Sequence, residues 1–200
     1  MGLSIMRIGV ITESRGESRV AIVPSSIRKL AKAGYEVAIQ KGAGKLSNYS
    51  DQAYLDAGAS VVDEKEALES PFLICVRFPE DIDLFEGQVI ACVADPFRHP
   101  ERIKYCNSRK ATLLSMDMIP RRLSRAQSMD VNSSQDNLAG YKAVLLGASM
   151  VPKGIPMMTT SAGTIRPAKV VIMGSGVAGL QAIATAKRCL LYTSPSPRDV

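Results

Sequence analysis

The sequence predicts an α/β protein: a first domain built on a parallel sheet, followed by the opening of a second unit of the same class. Three observations predict it. Apolar, β-branched runs alternate with amphipathic segments from the start of the chain to about residue 117. Residues 5–40 read as strand, helix and strand, a unit whose short crossover demands parallel pairing and a right-handed connection. Near the far end, a glycine-rich turn joins an apolar run to a helical one.

Taken in order, IMRIGVI (5–11) reads as a buried strand and ESRGESRV as a polar turn centred on Gly16. Pro24 then opens a helix, with Ser25 and Ser26 as candidate caps. Ile27, Leu30 and Ala31 recur at helical spacing, and Gly34 stops the helix. YEVAIQ (35–40) is the next strand. Helices are expected over 51–58, closed by Gly58, and over 64–70 and 99–109. Strands are expected over 59–62, 71–76, 88–94 and 111–117. A longer helix is expected from Ser133, with Leu138, Tyr141, Val144 and Leu145 on one face. A loop rich in Gly, Pro, Met and Thr (151–167) follows, in which Met157, Met158 and the run Thr159 to Ser161 read as a packed interdomain linker. The expected organisation is 1–132 for the first α/β domain and 133–188 for a connector helix and the start of the second. Residues 189–200 are left as an artefactual tail.

Composition excludes several classes. The chain has 200 residues, 46% hydrophobic and 22% charged, with 15 Gly and 11 Pro, which excludes a disordered tail, a collagen-like fibre and a disulfide-dense mini-protein. No apolar run reaches the ~18–20 residues that cross a bilayer, so direct membrane insertion is not expected. Arg7 and the charges from Glu13 to Arg19 interrupt the first apolar stretch, against a signal peptide. Cys75, Cys92, Cys106 and Cys189 stand singly, without metal-ligand spacing, and are expected to be reduced thiols rather than metal ligands. The net charge of +6 is scattered apart from Arg121, Arg122 and Arg125. With 5% aromatic residues and no Trp, stacking platforms are poorly supplied, and no nucleic-acid partner is expected.

Two segments carry chemistry. VVIM (170–173) is expected to be a strand, Gly174, Gly176 and Gly179 complete G-x-G-x-x-G, and the sequence from Leu180 is strongly helical. The first glycine permits the tight turn, the second lets the main chain approach a pyrophosphate, and the third permits close helix–strand packing. The helix N-terminus, through Val177 and Ala178, offers free N–H groups and a positive dipole. The expected fold is therefore Rossmann-like in the first domain, with the start of a Rossmann dinucleotide-binding domain after it. The acidic residue that should hold the ribose is missing. Asp199 lies near the right distance, but the two prolines of TSPSPRD forbid a central strand, so it is not assigned. LLYTSPSPRD reads as a translated adapter, and the second domain is expected to be cut after one βα unit, exposing apolar faces at 170–173 and 180–187. The second segment is PRRLSRAQSMDVNSSQDNLAGY (120–141), which places Arg122, Arg125, Gln127, Asp130 and Ser133 in one polar stretch. On composition alone, a solvated basic loop with Ser133 as a plain helix cap is the better reading.

A resemblance changes that balance. RLSRAQSMD, SSQDNLAGYKAV, PMMTTSAGTIRPAKV and GSGVAGLQAIATAKR resemble the NAD(H)-binding component of proton-translocating nicotinamide nucleotide transhydrogenase. MRIGVITESRGESRVAIVPSSIRKLAKAGYEVAIQKGAG is similar to the N-terminal domain shared by alanine dehydrogenase and that transhydrogenase. The likeness runs from Met6 to Arg188. It implies bound NAD(H) and hydride exchange with NADP(H) held by a partner domain. It implies a homodimer, membrane and NADP(H)-binding partner components, and a peripheral place at the cytoplasmic face of the inner membrane or the mitochondrial matrix side. It also implies that the polar loop reaches the nicotinamide: Gln127 on the carboxamide, Arg122 and Asp130 as a charge pair, Ser133 as a further anchor. Hydride transfer needs no general base, so these residues position rather than react.

The alternatives are an alanine dehydrogenase-like enzyme and a non-catalytic nucleotide-binding module, and the isolated chain is expected to be inactive. In alanine dehydrogenases a Lys and a His handle the substrate. Here the matching positions read as Cys75 and Val93, with Arg19 as the remaining substrate-side residue. His99, the chain's one histidine, reads as a helix-start residue.

Overall fold

The structure is a computed structural model that describes residues 6–14 and 16–190, the last two for their backbone only. Cys189 as a thiol, the tail from 191 and Asp199 therefore lie outside the described residues. The chain divides into two compact units, Met1–Met129 and Asp130–Val200.

The first unit is a six-stranded sheet made of β1 (Met6–Val10), β2 (Tyr35–Gln40), β3 (Ser60–Val62), β4 (Phe72–Arg77), β5 (Val89–Val93) and β6 (Thr112–Ser115). The order is β3-β2-β1-β4-β5-β6 and every pair is parallel. From β1 the chain builds outward to β3, then returns to the other side of β1 to lay down β4. That reversal leaves a crevice at the carboxyl ends of β1 and β4, the usual ligand position in open parallel sheets. One core cluster gathers Ile8, Val10, Ile27, Val37, Ile39 and Tyr54. A second gathers Leu73, Cys75, Ile90, Cys92 and Cys106, so the three described cysteines are buried free thiols. Burial pushes the Cys92 thiol up to about 12, and Cys75 and Cys106 also upward, so none is a nucleophile near neutral pH.

The helices start where their caps allow. In α1 (Pro24–Lys32) the N-cap is Val23 and no side chain caps it, so neither Ser25 nor Ser26 plays the expected role. Pro24 explains this: with no N–H and a fixed φ it removes one orphan donor and starts the helix itself. Ser50 accepts from the Ala53 N–H to cap α2 (Asp51–Ala57), and Asp63 accepts from Glu66 to cap α3 (Glu64–Leu68). α4 (Pro100–Ser108) has His99 as its N-cap, at the helix start as expected.

The second unit departs further from expectation. α5 (Val131–Met150) starts two residues before Ser133, because Asp130 caps it. The expected loop 151–167 contains an antiparallel hairpin, β7 (Met158–Thr160) with β8 (Gly163–Ile165), and every residue of both strands is exposed. Met157 and Met158 are 45% and 40% exposed, so the segment is not the packed linker expected. The expected strand at 170–173 does not form; residues 166–175 have no regular structure. A strand needs a neighbour to complete its ladder. Among the described residues of this unit, the hairpin strands pair only with each other. Val171 and Met173 are accordingly 85% and 95% exposed. α6 (Val177–Thr185) starts three residues before Leu180 and continues into a wider, π-type turn over Ala186–Leu190. It packs on α5.

Candidate nucleotide site

The glycine turn at 174–179 is formed although the strand before it is not. Gly174 has φ +114°, which an L side chain rarely adopts, and turns the chain back toward α6. A Cβ on Gly179 would lie 2.1 Å from the Gly174 carbonyl oxygen, so the first and third glycines of the motif are locked together by backbone contact. Gly176, in extended conformation, is the N-cap of α6, and its carbonyl accepts the first helical bond, from Leu180 N–H at 2.9 Å. The N–H groups of Val177, Ala178 and Gly179 therefore open the helix with no intrahelical acceptor. A Cβ on Gly176 would meet nothing within 4 Å, so the approach to those donors is open. Free donors, the positive end of a helix and an unobstructed backbone fit a diphosphate.

The four polar residues expected at the nicotinamide fall two in each unit. Arg122 sits in a turn after Pro120 and Gln127 starts a short 3₁₀ turn, Gln127–Met129; both are exposed. Buried Ala126 anchors this segment, donating to Leu123 and accepting from Met129, each at 2.9 Å. In the second unit Asp130 and Ser133 meet. One carboxylate oxygen accepts from the Ser133 N–H at 2.9 Å and the other from its hydroxyl at 2.6 Å. Asp130, rather than Ser133, is thus the cap of α5.

A second concentration of charge lies at the crevice of the first unit; the resemblance points to Arg19 there, but Glu17 and Arg77 are not singled out by the sequence. It is a cleft of about 370 Å³ lined by Glu17, Arg77, Val93, Asp95, His99 and Arg102 among others. Glu17 is 8% exposed and bridges two arginines. Arg19 donates to it from Nε at 2.8 Å and Nη2 at 2.6 Å, and Arg77 from Nε at 2.8 Å. The Arg19 guanidinium above all holds the Glu17 carboxyl well below the usual carboxylate range. Glu13 accepts from the N–H groups of Val76 and Arg77, yet burial raises its pKa. Asp95, after β5, has φ +45° and is held there by Asp117, which accepts from the N–H groups of Ala94 and Asp95. Cys75 points into the core at 5% exposure, and the basic residue that β4 carries into the cleft is Arg77, two positions on. The pairing of β4 with β5 shifts register between Ile74 and Arg77, an irregularity that strand alternation read from the sequence does not reveal.

No group of acidic, His and Cys side chains suited to a metal occurs among the described residues. No described helix is long and apolar enough to cross a membrane.

A parallel sheet in 3-2-1-4-5-6 order places the first unit in the doubly wound, Rossmann-like α/β class. The family model for the N-terminal domain of alanine dehydrogenase/PNT matches residues 9–139, and that for the C-terminal domain matches 143–191. The chain belongs to the alanine dehydrogenase/PNT family. It is 40% identical over 187 residues to NAD(P) transhydrogenase subunit alpha of Cereibacter sphaeroides, covering 90% of this chain and 36% of that protein. The structure of the transhydrogenase from Sinorhizobium meliloti superposes with a TM-score of 0.87 at 41% identity, covering 91% of this chain and 54% of that one. The alanine dehydrogenase of Methanococcus maripaludis is more distant, 30% identical over 186 residues, covering 88% of this chain and 49% of that protein. The chain thus spans 36% to 54% of the length of these relatives.

Proposed function

We propose that the chain is the NAD(H)-binding component of a proton-translocating NAD(P) transhydrogenase. The observation that carries the reading is the glycine turn: Gly174 and Gly179 in backbone contact, Gly176 open, and α6 beginning at Val177. In this reading the N–H groups of Val177, Ala178 and Gly179 hold the diphosphate of NAD(H). When bound, the nicotinamide supplies hydride chemistry, exchanging a hydride with NADP(H) on a partner component. Gln127 orients the ring through its carboxamide, Arg122 places positive charge near it, and Asp130 with Ser133 fixes the start of α5. The second copy, the NADP(H)-binding component and the membrane component are the partners. The chain is peripheral, on the cytoplasmic or matrix side of the membrane.

The geometry also weighs on the alanine dehydrogenase alternative. Cys75 is withdrawn into the core, and the Arg19 and Arg77 guanidiniums both bond Glu17. The test is to combine the full chain with the NADP(H)-binding and membrane components and follow NADH-dependent reduction of NADP⁺. Turnover that requires this chain supports the reading. Oxidation of NADH that requires pyruvate and ammonia instead would move the chain to the alanine dehydrogenase side of the family.

A further inference from the structure

Gly140 is the buried residue of α5, in mid-helix, where glycine is disfavoured relative to alanine. Its burial has a specific cause. A Cβ at this position would lie 2.1 Å from the carbonyl oxygen of Ala178, 2.9 Å from its carbonyl carbon and 3.0 Å from its Cα. These are backbone atoms, which cannot swing aside as a side-chain tip can. The Ala178 carbonyl and the Gly179 N–H belong to one rigid peptide plane. Whatever displaces that oxygen also turns the Gly179 N–H, one of the donors at the mouth of α6. Gly179 in turn rests on Gly174, whose carbonyl would be 2.1 Å from any Cβ placed there. A backbone contact thus runs from mid-α5 through the first turn of α6 to the start of the glycine motif. Gly147, on the same helix, has nothing within 4 Å of its Cβ position and takes no part in it.

We infer that Gly140 is a positioning residue for the nucleotide site: by admitting the Ala178 carbonyl against α5 it sets the direction of the N–H groups that receive a diphosphate. This rests on the reading that the turn binds NAD(H). Relieving a 2.1 Å contact requires movement of about an ångström, enough to take a hydrogen-bond donor out of good geometry for its acceptor.

The test compares the full-length parent with Gly140→Ala and Gly147→Ala, titrating each with NADH and with adenosine, which lacks the diphosphate. Gly140→Ala is expected to weaken NADH at least tenfold and to leave adenosine within a few-fold, while Gly147→Ala binds both as the parent does. General loosening of the unit would weaken both ligands together and overturn the inference. So would a Gly140→Ala protein that binds NADH as the parent does, which leaves the nucleotide reading intact. A parent that binds no NADH overturns that reading and the inference with it. Should Gly140→Ala fail to fold, amide exchange of the parent decides. NADH is expected to protect residues 138–142 together with 177–180, and protection confined to α6 overturns the inference.

Discussion

Glu17 and Asp130 hold loops in place by carboxylate bonds, with different consequences. The folded-state pKa of Glu17 lies below its unfolded value, so its contribution to stability is complete above the unfolded pKa of about 4.3 and is lost as pH falls toward the folded value. Replacing Glu17 with Gln is expected to cost about 1–3 kcal/mol at neutral pH by removing the negative charge to which both guanidiniums donate. The difference in melting temperature from the parent is expected to narrow between about pH 5 and pH 3; a difference independent of pH would remove the ion pair as its cause. Asp130→Ala removes the cap of α5 and is expected to cost about 1 kcal/mol in denaturant unfolding, at pH values where the carboxylate is charged. The sequence could not reveal Glu17, because a Glu among polar turn residues carries no mark of burial. Only the closeness of the ends of β1 and β4, a property of strand order, brings Arg77 to it.

At the scale of elements, what could be read and what could not divide along one physical line. The six strands of the first unit were legible because each is an apolar run that finds a parallel neighbour, as with Val89 to Val93 between β4 and β6. VVIM at 170–173 has the same local signature and forms no strand, since β-propensity describes a surface to be packed and paired. The hairpin of Met158–Thr160 and Gly163–Ile165 was hidden the other way, by Gly, Pro and Met around a short β-branched core. The glycine turn survives because its requirement is local: a positive φ at Gly174 and a contact at Gly179. Gly179→Ala is therefore expected to distort the turn and weaken NADH at least tenfold in calorimetry, with the first unit's helix and sheet content unchanged. Binding equal to the parent would show that the turn does not receive the diphosphate.

For the whole molecule, the proposed function rests on Gln127 of the first unit and on the glycine turn of the second, each tested by its own substitution. Gln127→Ala is expected to slow NADH-to-NADP⁺ hydride transfer tenfold or more, about 1.4 kcal/mol, with NADH affinity kept within a few-fold. Equal rates would take Gln127 out of the site. The polar segment is nominated only by the family resemblance, because Arg122 and Gln127 are exposed loop residues that composition does not separate from solvated surface. The most direct measurement is the structure of the full chain with NADH bound. The diphosphate is expected within about 3 Å of the N–H groups of Val177, Ala178 and Gly179, with the Gln127 amide on the carboxamide of the ring. A diphosphate seated elsewhere, or a nicotinamide that Gln127 does not touch, would contradict the proposed function.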